Sequence, residues 1–323
     1  MRIVTGAGMK ILWLAPALPW PLHSGEKLRS YHLARQLARD CRITMLAPGG
    51  NYAAARALAD AGIAVLRAGR RLPAPMAIAA GMHRGLPATV ARYSGNALRQ
   101  AVRVLRQREQ FDLIYLDHLQ MTGMMEECAG VPLWLDEHNL ECRLWQRYAD
   151  ERGGLWRRQA RQVRAWEQQL LPRVAGVSFT SENDQLQALA LAPAGRYAVV
   201  PNAADVAFWQ ATPRTPQREL LLTGSLDWPP NRDGIIWFID EVWPQLRGLA
   251  VGARVVGSRP PDRFVERCAA AGIAVDADVP SLQPYYARAL AVVAPLLVGG
   301  GMRFKVVEAF AVGVPLVATT LTV

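Results

Sequence analysis

Short apolar runs recur along the whole chain, most of them paired with a helical segment, and this alternation constrains the fold more than any other feature. The runs fall at residues 10–15 (KILWLA), 42–47, 64–66, 113–116, 133–135, 176–180 and 197–200, and again at 219–223, 254–256, 274–275, 291–295 and 315–318. They are continuous rather than alternating, as expected for strands covered on both faces. Helices are predicted over 25–39, 52–61, 96–108, 234–246, 281–289 and 302–313, with a helix N-terminus at Ser181 and Asp184. Residues 142–171 are predicted to form one long helix. An apolar stripe of Trp145, Tyr148, Leu155, Val163, Trp166 and Leu170 runs along it, and arginines occupy much of the remainder. Residues 72–88 hold too much Pro, Gly and Ala to assign. Strand–helix alternation at this spacing predicts an α/β fold of parallel, doubly wound sheets. The segment 201–217 (PNAADVAFWQATPRTPQ) reads as a hinge, dividing the 323 residues into domains 1–200 and 201–323.

In such sheets ligands sit beyond the C-terminal strand ends. One run ends at Asp117–His118, and another at Asp136–Glu137–His138–Asn139. His138 is either a satisfied core histidine or a ligand contact, and Asp136 and Glu137 are placed to hold it in one tautomer. Gly25 opens a helix after a proline-rich loop, and Gly224 begins a loop at 224–233. The densest signal lies at 292–320, VVAPLLVGGGMRFKVVEAFAVGVPLVATT. Gly299, Gly300 and Gly301 let the backbone turn and bring bare N–H groups against a ligand. The helix that follows points its N-terminus into that loop, with Arg303 and Lys305 beside it, which makes an anion site. Glu308, further along that helix, can accept two hydroxyl hydrogen bonds, as from a nucleotide ribose.

The pattern from Gly299 through Arg303, Lys305 and Glu308 to Pro315 resembles the donor-binding signature of the family 4 retaining glycosyltransferases. The three glycines and Arg303 are similar to the subgroup associated with exopolysaccharide assembly. Residues 10–47, the DEHN segment and residues 201–320 share the resemblance. It implies a GT-B fold of two facing Rossmann-like domains, the first on the acceptor side and the second binding the donor. It also implies a nucleotide-diphosphate sugar donor, a polysaccharide or lipid-linked glycan acceptor, and no metal or other cofactor. Gly299, Gly300, Gly301, Arg303, Lys305, Glu308 and Gly224 would bind the donor. His138 would contact the sugar, and Gly25 and His118 would line the cleft. Catalysis would rest on His138, Arg303 and Lys305. Two departures stand out. Gly300 falls where relatives have the first of two spaced glutamates. The Arg and Lys that hold the diphosphate in many relatives fall on Ser225 and near Asn231 or Arg232, which shifts that task to Arg303 and Lys305. Relatives also continue beyond the last strand, so the second domain is expected to be incomplete.

The net charge of +10 suits an anionic substrate, an acidic membrane surface or nucleic acid. The arginines of 142–171 read as a solvated face over a core stripe, or as an attraction to anionic headgroups. The stripe matches a core face too well to favour base stacking, so no nucleic-acid partner is expected. Cys41, Cys128, Cys142 and Cys268 are scattered without metal-ligand spacing and read as reduced thiols of a cytoplasmic, at most peripherally membrane-bound, protein. Asp276-Ala277-Asp278 spells a three-residue metal-binding pattern, which also suits a plain loop at a strand end. The alternatives to glycosyl transfer are a GT-B sugar-nucleotide epimerase and a non-catalytic basic protein that binds membrane or nucleic acid.

Overall fold

The computed structural model describes residues 8–22, 24–297 and 303–320. The chain divides between Val200 and Pro201 into two compact units, with residues 24–25 grouped with the second.

The first unit runs β1 (Met9–Leu14), α1 (Gly25–Leu37), β2 (Cys41–Ala47), α2 (Tyr52–Asp60), β3 (Ala64–Arg67), α3 (Ala74–Arg84), α4 (Ala88–Ala91) and α5 (Asn96–Arg108). It continues with β4 (Leu113–Asp117), β5 (Leu133–Glu137), α6 (Glu141–Arg152), α7 (Gly154–Leu170), β6 (Gly176–Phe179), α8 (Glu182–Leu191) and β7 (Tyr197–Val199). A 3-10 turn at Leu119–Met124 follows β4. The seven strands pair in the order β3-β2-β1-β4-β5-β6-β7, all parallel. Side chains alternate across the sheet: Leu12 and Leu14 enter one core cluster, and Ile11, Trp13 and Ala15 enter the other. Both faces are therefore dry, which is why these strands read as unbroken apolar runs.

The second unit runs α9 (Val206–Gln210), β8 (Glu219–Ser225), α10 (Pro229–Trp237), α11 (Trp243–Leu246), β9 (Gly252–Ser258), α12 (Asp262–Ala270) and β10 (Ala274–Ala277). It ends with α13 (Gln283–Arg288), β11 (Ala291–Ala294), α14 (Phe304–Val312) and β12 (Leu316–Ala318). Its five strands are parallel in the order β10-β9-β8-β11-β12, again with a core cluster on each face. The strand order reverses between β1 and β4 in one sheet and between β8 and β11 in the other, and ligands of open α/β sheets bind at such switch points.

Several expectations change. The single helix over 142–171 is two, α6 and α7. They are broken at Gly153 (φ 66°) and Gly154 (φ 48°), where glycine takes a left-handed backbone without a Cβ penalty. The chain folds back, so that Cys142 N–H at the start of α6 donates to Glu167 near the end of α7 at 3.0 Å, and Trp156 stacks on Trp145 at 5.6 Å. The unassigned residues 72–88 contain α3, with prolines at its start and Gly85 in left-handed geometry at its end. The loop expected over 224–233 is shorter, because β8 reaches Ser225 and α10 begins at Pro229. The helix expected over 234–246 widens into a π turn at Phe238–Val242. Helix α12 was not anticipated, although Phe264 and Cys268, one turn apart, are its buried face.

Candidate functional site

At the C-terminal ends of β4 and β5 the first unit gathers Asp117, His118, Asp136 and His138. Register pairs Asp117 with Asp136 on adjacent strands, so two buried carboxylates lie side by side. Such a pair needs compensating positive charge and hydrogen bonds. Arg29 of α1 supplies both to Asp136. Its Nε donates to Oδ2 at 2.8 Å and its Nη2 to Oδ1 at 2.7 Å, while Nη1 donates to the Val200 carbonyl at 2.7 Å. Ser178 Oγ of β6 adds a 2.6 Å bond to Asp136 Oδ1 and accepts from Trp134 Nε1. Asp117 Oδ2 accepts from Trp13 Nε1 at 3.2 Å, and Trp13 stacks on Tyr115 at 3.8 Å. Burial pushes both carboxyls up, but the histidines, with Arg29 at Asp136, hold both well below the usual carboxylate range.

The other oxygen of Asp117, Oδ1, faces both imidazoles, 2.8 Å from His118 Nδ1 and 3.2 Å from His138 Nε2. Among the described residues none of these three atoms has an aligned hydrogen-bond partner, so the contacts there are ion-pair approaches rather than formed bonds. The two rings lie 3.6 Å apart. His138 Nε2 is also 3.3 Å from Asp136 Oδ2, and Thr180 Oγ1 donates to the His138 carbonyl at 3.2 Å. Burial lowers the His118 pKa, but Asp117 beside it outweighs this and the group reaches about 9. His118 is therefore an imidazolium at neutral pH. Its backbone sits at φ 72°, ψ 156°, a region costing a bulky residue roughly 1–3 kcal/mol. Strain of this kind at a buried, charged strand end marks a position set by more than packing. Among the described residues, Asp117, His118 and His138 are also a set whose ligand atoms converge within 4.8 Å, a donor set that suits a divalent ion.

Among the described residues neither Asp136 nor Glu137 forms a hydrogen bond to the His138 ring: Asp136 approaches Nε2 at 3.3 Å while its oxygens accept from Arg29 and Ser178. On the opposite pleat, Glu137 is fully buried, and burial and then Glu167 push its pKa well up. Gly25 is the first residue of α1.

In the second unit, α14 follows β11 in the chain, and Arg303 is its N-cap residue. Gly299, Gly300 and Gly301 lie outside the described residues. The Arg303 guanidinium lies over the Trp228 ring at 5.4 Å. Lys305 and Glu308 sit one turn apart on the buried face of α14. Lys305 Nζ donates to Asn231 Oδ1 at 3.2 Å, and Asn231 Nδ2 donates to the Ser225 carbonyl at 3.0 Å. Gly224 is where this network needs closeness: a Cβ there would lie 2.6 Å from Asn231 Nδ2. Glu308 Oε2 accepts from Tyr286 OH at 2.9 Å, and Tyr286 OH lies 3.3 Å from Thr223 Oγ1. Burial, and then the nearby Arg303, lower the Lys305 pKa to about 8. Burial raises Glu308 to about 7, against the opposing pull of Tyr286 and Lys305. Each is thus poised near neutrality and is sensitive to an added charge.

Arg232 Nη1 donates to the Leu226 carbonyl at 3.0 Å. The Asp276–Asp278 pattern is likewise taken up by the protein. Asp276 Oδ2 accepts from Arg254 at 3.0 Å, and Asp278 Oδ1 accepts from the Arg259 N–H at 3.1 Å. Arg29, Ser178, Trp228 and Tyr286 were not singled out from sequence, and Asn231 was named only as a departure from relatives. Only tertiary contact distinguishes them from other polar and aromatic residues.

The glycosyl transferase 4-like domain family matches residues 24–203, and the glycosyl transferases group 1 family matches residues 217–323. No curated protein matches the chain. Among solved structures, HepE from Anabaena in complex with UDP-glucose is 17% identical, with a TM-score of 0.69 over 97% of this chain and 81% of that one. WaaG, a glycosyltransferase involved in lipopolysaccharide biosynthesis, is 13% identical, with a TM-score of 0.66 over 97% and 81%. A glycosyltransferase from Rickettsia africae is 10% identical, with a TM-score of 0.64 over 98% and 80%. The two parallel sheets with switch points at β1/β4 and β8/β11, together with both family matches, place this chain among the GT-B glycosyltransferases, with a glycosyl transferase 4-like domain followed by a group 1 domain.

Proposed function

We propose that this glycosyltransferase is a metal-independent, retaining enzyme of family 4 that moves a hexosyl group from a nucleoside diphosphate to a polysaccharide or lipid-linked glycan, in exopolysaccharide assembly. The observation that supports donor binding in the second unit is the Lys305–Glu308 pair. Both are buried on one face of α14, tied through Asn231 and Tyr286 to the end of β8. In this reading Glu308 accepts the ribose hydroxyls. Arg303, Lys305 and the N-terminus of α14 face the diphosphate, with Gly299–Gly301 and Gly224 allowing close approach. HepE is a protein of this fold that holds UDP-glucose.

Breaking the bond from the sugar C1 to the diphosphate oxygen leaves negative charge on the departing phosphate. Cations and N–H dipoles fixed before the reaction stabilise that charge without reorganising. In this reading His138 contacts the transferred sugar, and His118 and Gly25 serve the acceptor. His118, protonated at neutral pH, donates hydrogen bonds and does not act as a base. Arg29 and the His118 imidazolium already bring positive charge to Asp117 and Asp136, which is the work a metal ion would do there.

Isothermal titration with UDP and other nucleoside diphosphates tests the donor half. Arg303→Ala should weaken binding by about 1.5–3 kcal/mol, or about tenfold to a hundredfold. Unchanged affinity for every nucleoside diphosphate would remove Arg303 from the site. Product analysis after incubation with the sugar nucleotide and an acceptor separates transfer, which joins the sugar to the acceptor and releases the nucleoside diphosphate, from epimerisation, which returns a nucleotide sugar.

A further inference from the structure

Helix α3 is built inside out. Its buried face consists of small residues, Ala77 and Gly81, because it lies almost against the segment around α4: a Cβ on Gly81 would meet the Leu86 carbonyl at 2.6 Å. Its large apolar residues face outward instead. Met76 is 57% exposed, Ile78 50% and Met82 62%. Helical spacing puts Ile78 and Met82 one turn apart, and exposed Pro75 and Ala79 continue the stripe from them to Met76. A helix of a globular protein ordinarily turns such a stripe to the core, and an exposed one marks an interaction surface.

The charge around it indicates what covers it. No acidic residue occurs between Asp60 and Glu109, while arginine recurs throughout. Arg70 and Arg71 stand just before α3 and Arg84 at its end, all exposed. Among the described residues none of the three is paired with a carboxylate. Arg71 lies over the Tyr93 ring and Arg84 donates to the Ser94 carbonyl, contacts that hold both near the helix. An apolar helix face rimmed by arginines, in a stretch of sequence without acids, fits the boundary between headgroups and acyl chains of an anionic bilayer. Nucleic acid would call for aromatic stacking surfaces rather than methionine and isoleucine.

We propose that α3 is a membrane-docking helix that lies in the plane of an anionic bilayer with Met76, Ile78 and Met82 in the acyl boundary and Arg70, Arg71 and Arg84 on the headgroups. The site differs from the arginine-rich α6–α7 pair, and the proposal does not rest on the glycosyl-transfer reading. Flotation with vesicles of phosphatidylcholine alone, or mixed with phosphatidylglycerol, tests it with the full chain. Binding is expected on the mixed vesicles and should fall as salt rises.

The triple variant M76S/I78S/M82S and the triple variant R70E/R71E/R84E should each reduce the bound fraction by about tenfold or more. The variant R157E/R158E/R161E on α7 should retain binding. Circular dichroism melting confirms that each variant is folded, and all the substituted side chains are exposed. Equal binding to neutral vesicles would overturn the proposal, as would loss only in the α7 variant. So would serine substitutions that change the oligomeric state but not vesicle binding, since α3 would then be a protein interface.

Discussion

Replacing Glu308 by glutamine provides a sharp test of the donor site, because the carboxyl titrates near neutrality. Burial raises its pKa to about 7. Above that pH Glu308 is an anion whose Oε2 accepts from Tyr286, and in the proposed reading it also accepts from ribose hydroxyls. Hydrogen bonds to a charged acceptor are worth about 1.5–3 kcal/mol, roughly twice a neutral pair. Protonation should therefore weaken nucleotide binding about tenfold to a hundredfold as pH falls from about 8 to about 5, which lies within the 1.36 kcal/mol per pH unit that linkage allows. Glu308→Gln is neutral throughout. It should bind UDP about tenfold or more weakly at pH 8 and converge on the wild type at pH 5. Titration calorimetry of both proteins over this range measures the ratio of their dissociation constants, from which the phosphate's own ionisation cancels. A ratio of one at pH 8, or a ratio that does not close on acidification, would refute the assignment of Glu308 to the ribose.

Other outcomes follow from the same geometry. Lys305, with a pKa of about 8, should lose its contribution to nucleotide binding as pH rises through that value, and Lys305→Met should remove this alkaline decline in calorimetry. Gly224→Ala places a Cβ 2.6 Å from Asn231 Nδ2, so it should displace Asn231 and lower both nucleotide affinity and the melting temperature of the second unit. Arg29→Ala leaves Asp136 buried without its bidentate partner and should cost about 3–5 kcal/mol in urea unfolding of the first unit. The His118 pKa is raised in the folded state, so its stabilisation is complete below about 6.5 and is lost as pH rises through about 9. His118→Gln should flatten that part of the pH–stability curve relative to wild type. Transfer should keep its full rate in chelator, and activity lost there but restored by a divalent ion would assign a metal to Asp117, His118 and His138.

The sequence by itself determined the layered α/β architecture, because continuous apolar runs such as 10–15 satisfy only a strand covered on both faces. It also placed Asp117, His118, Asp136 and His138 at strand ends, and put Arg303 and Lys305 at the start of α14 with Glu308 further along it, because strand ends and helix starts are local features. It did not determine where α6 stops, since hydrophobic period continues through Gly153 and Gly154 and only their positive φ angles, realised in the folded chain, break it. Tertiary structure alone decided the partners. Arg29 meets Asp136 across 107 residues of sequence, Lys305 meets Asn231 across 74 and Glu308 meets Tyr286 across 22. Burial is the largest influence on the ionisation of Asp136, Lys305 and Glu308, with Arg29 acting against it at Asp136 and Tyr286 at Glu308, and burial cannot be read from a residue's neighbours in the chain. The outward stripe of α3 follows the same rule. Its composition looked shapeless until packing put the small residues inside, and the large ones were left facing solvent because a close helix crossing has no room for them.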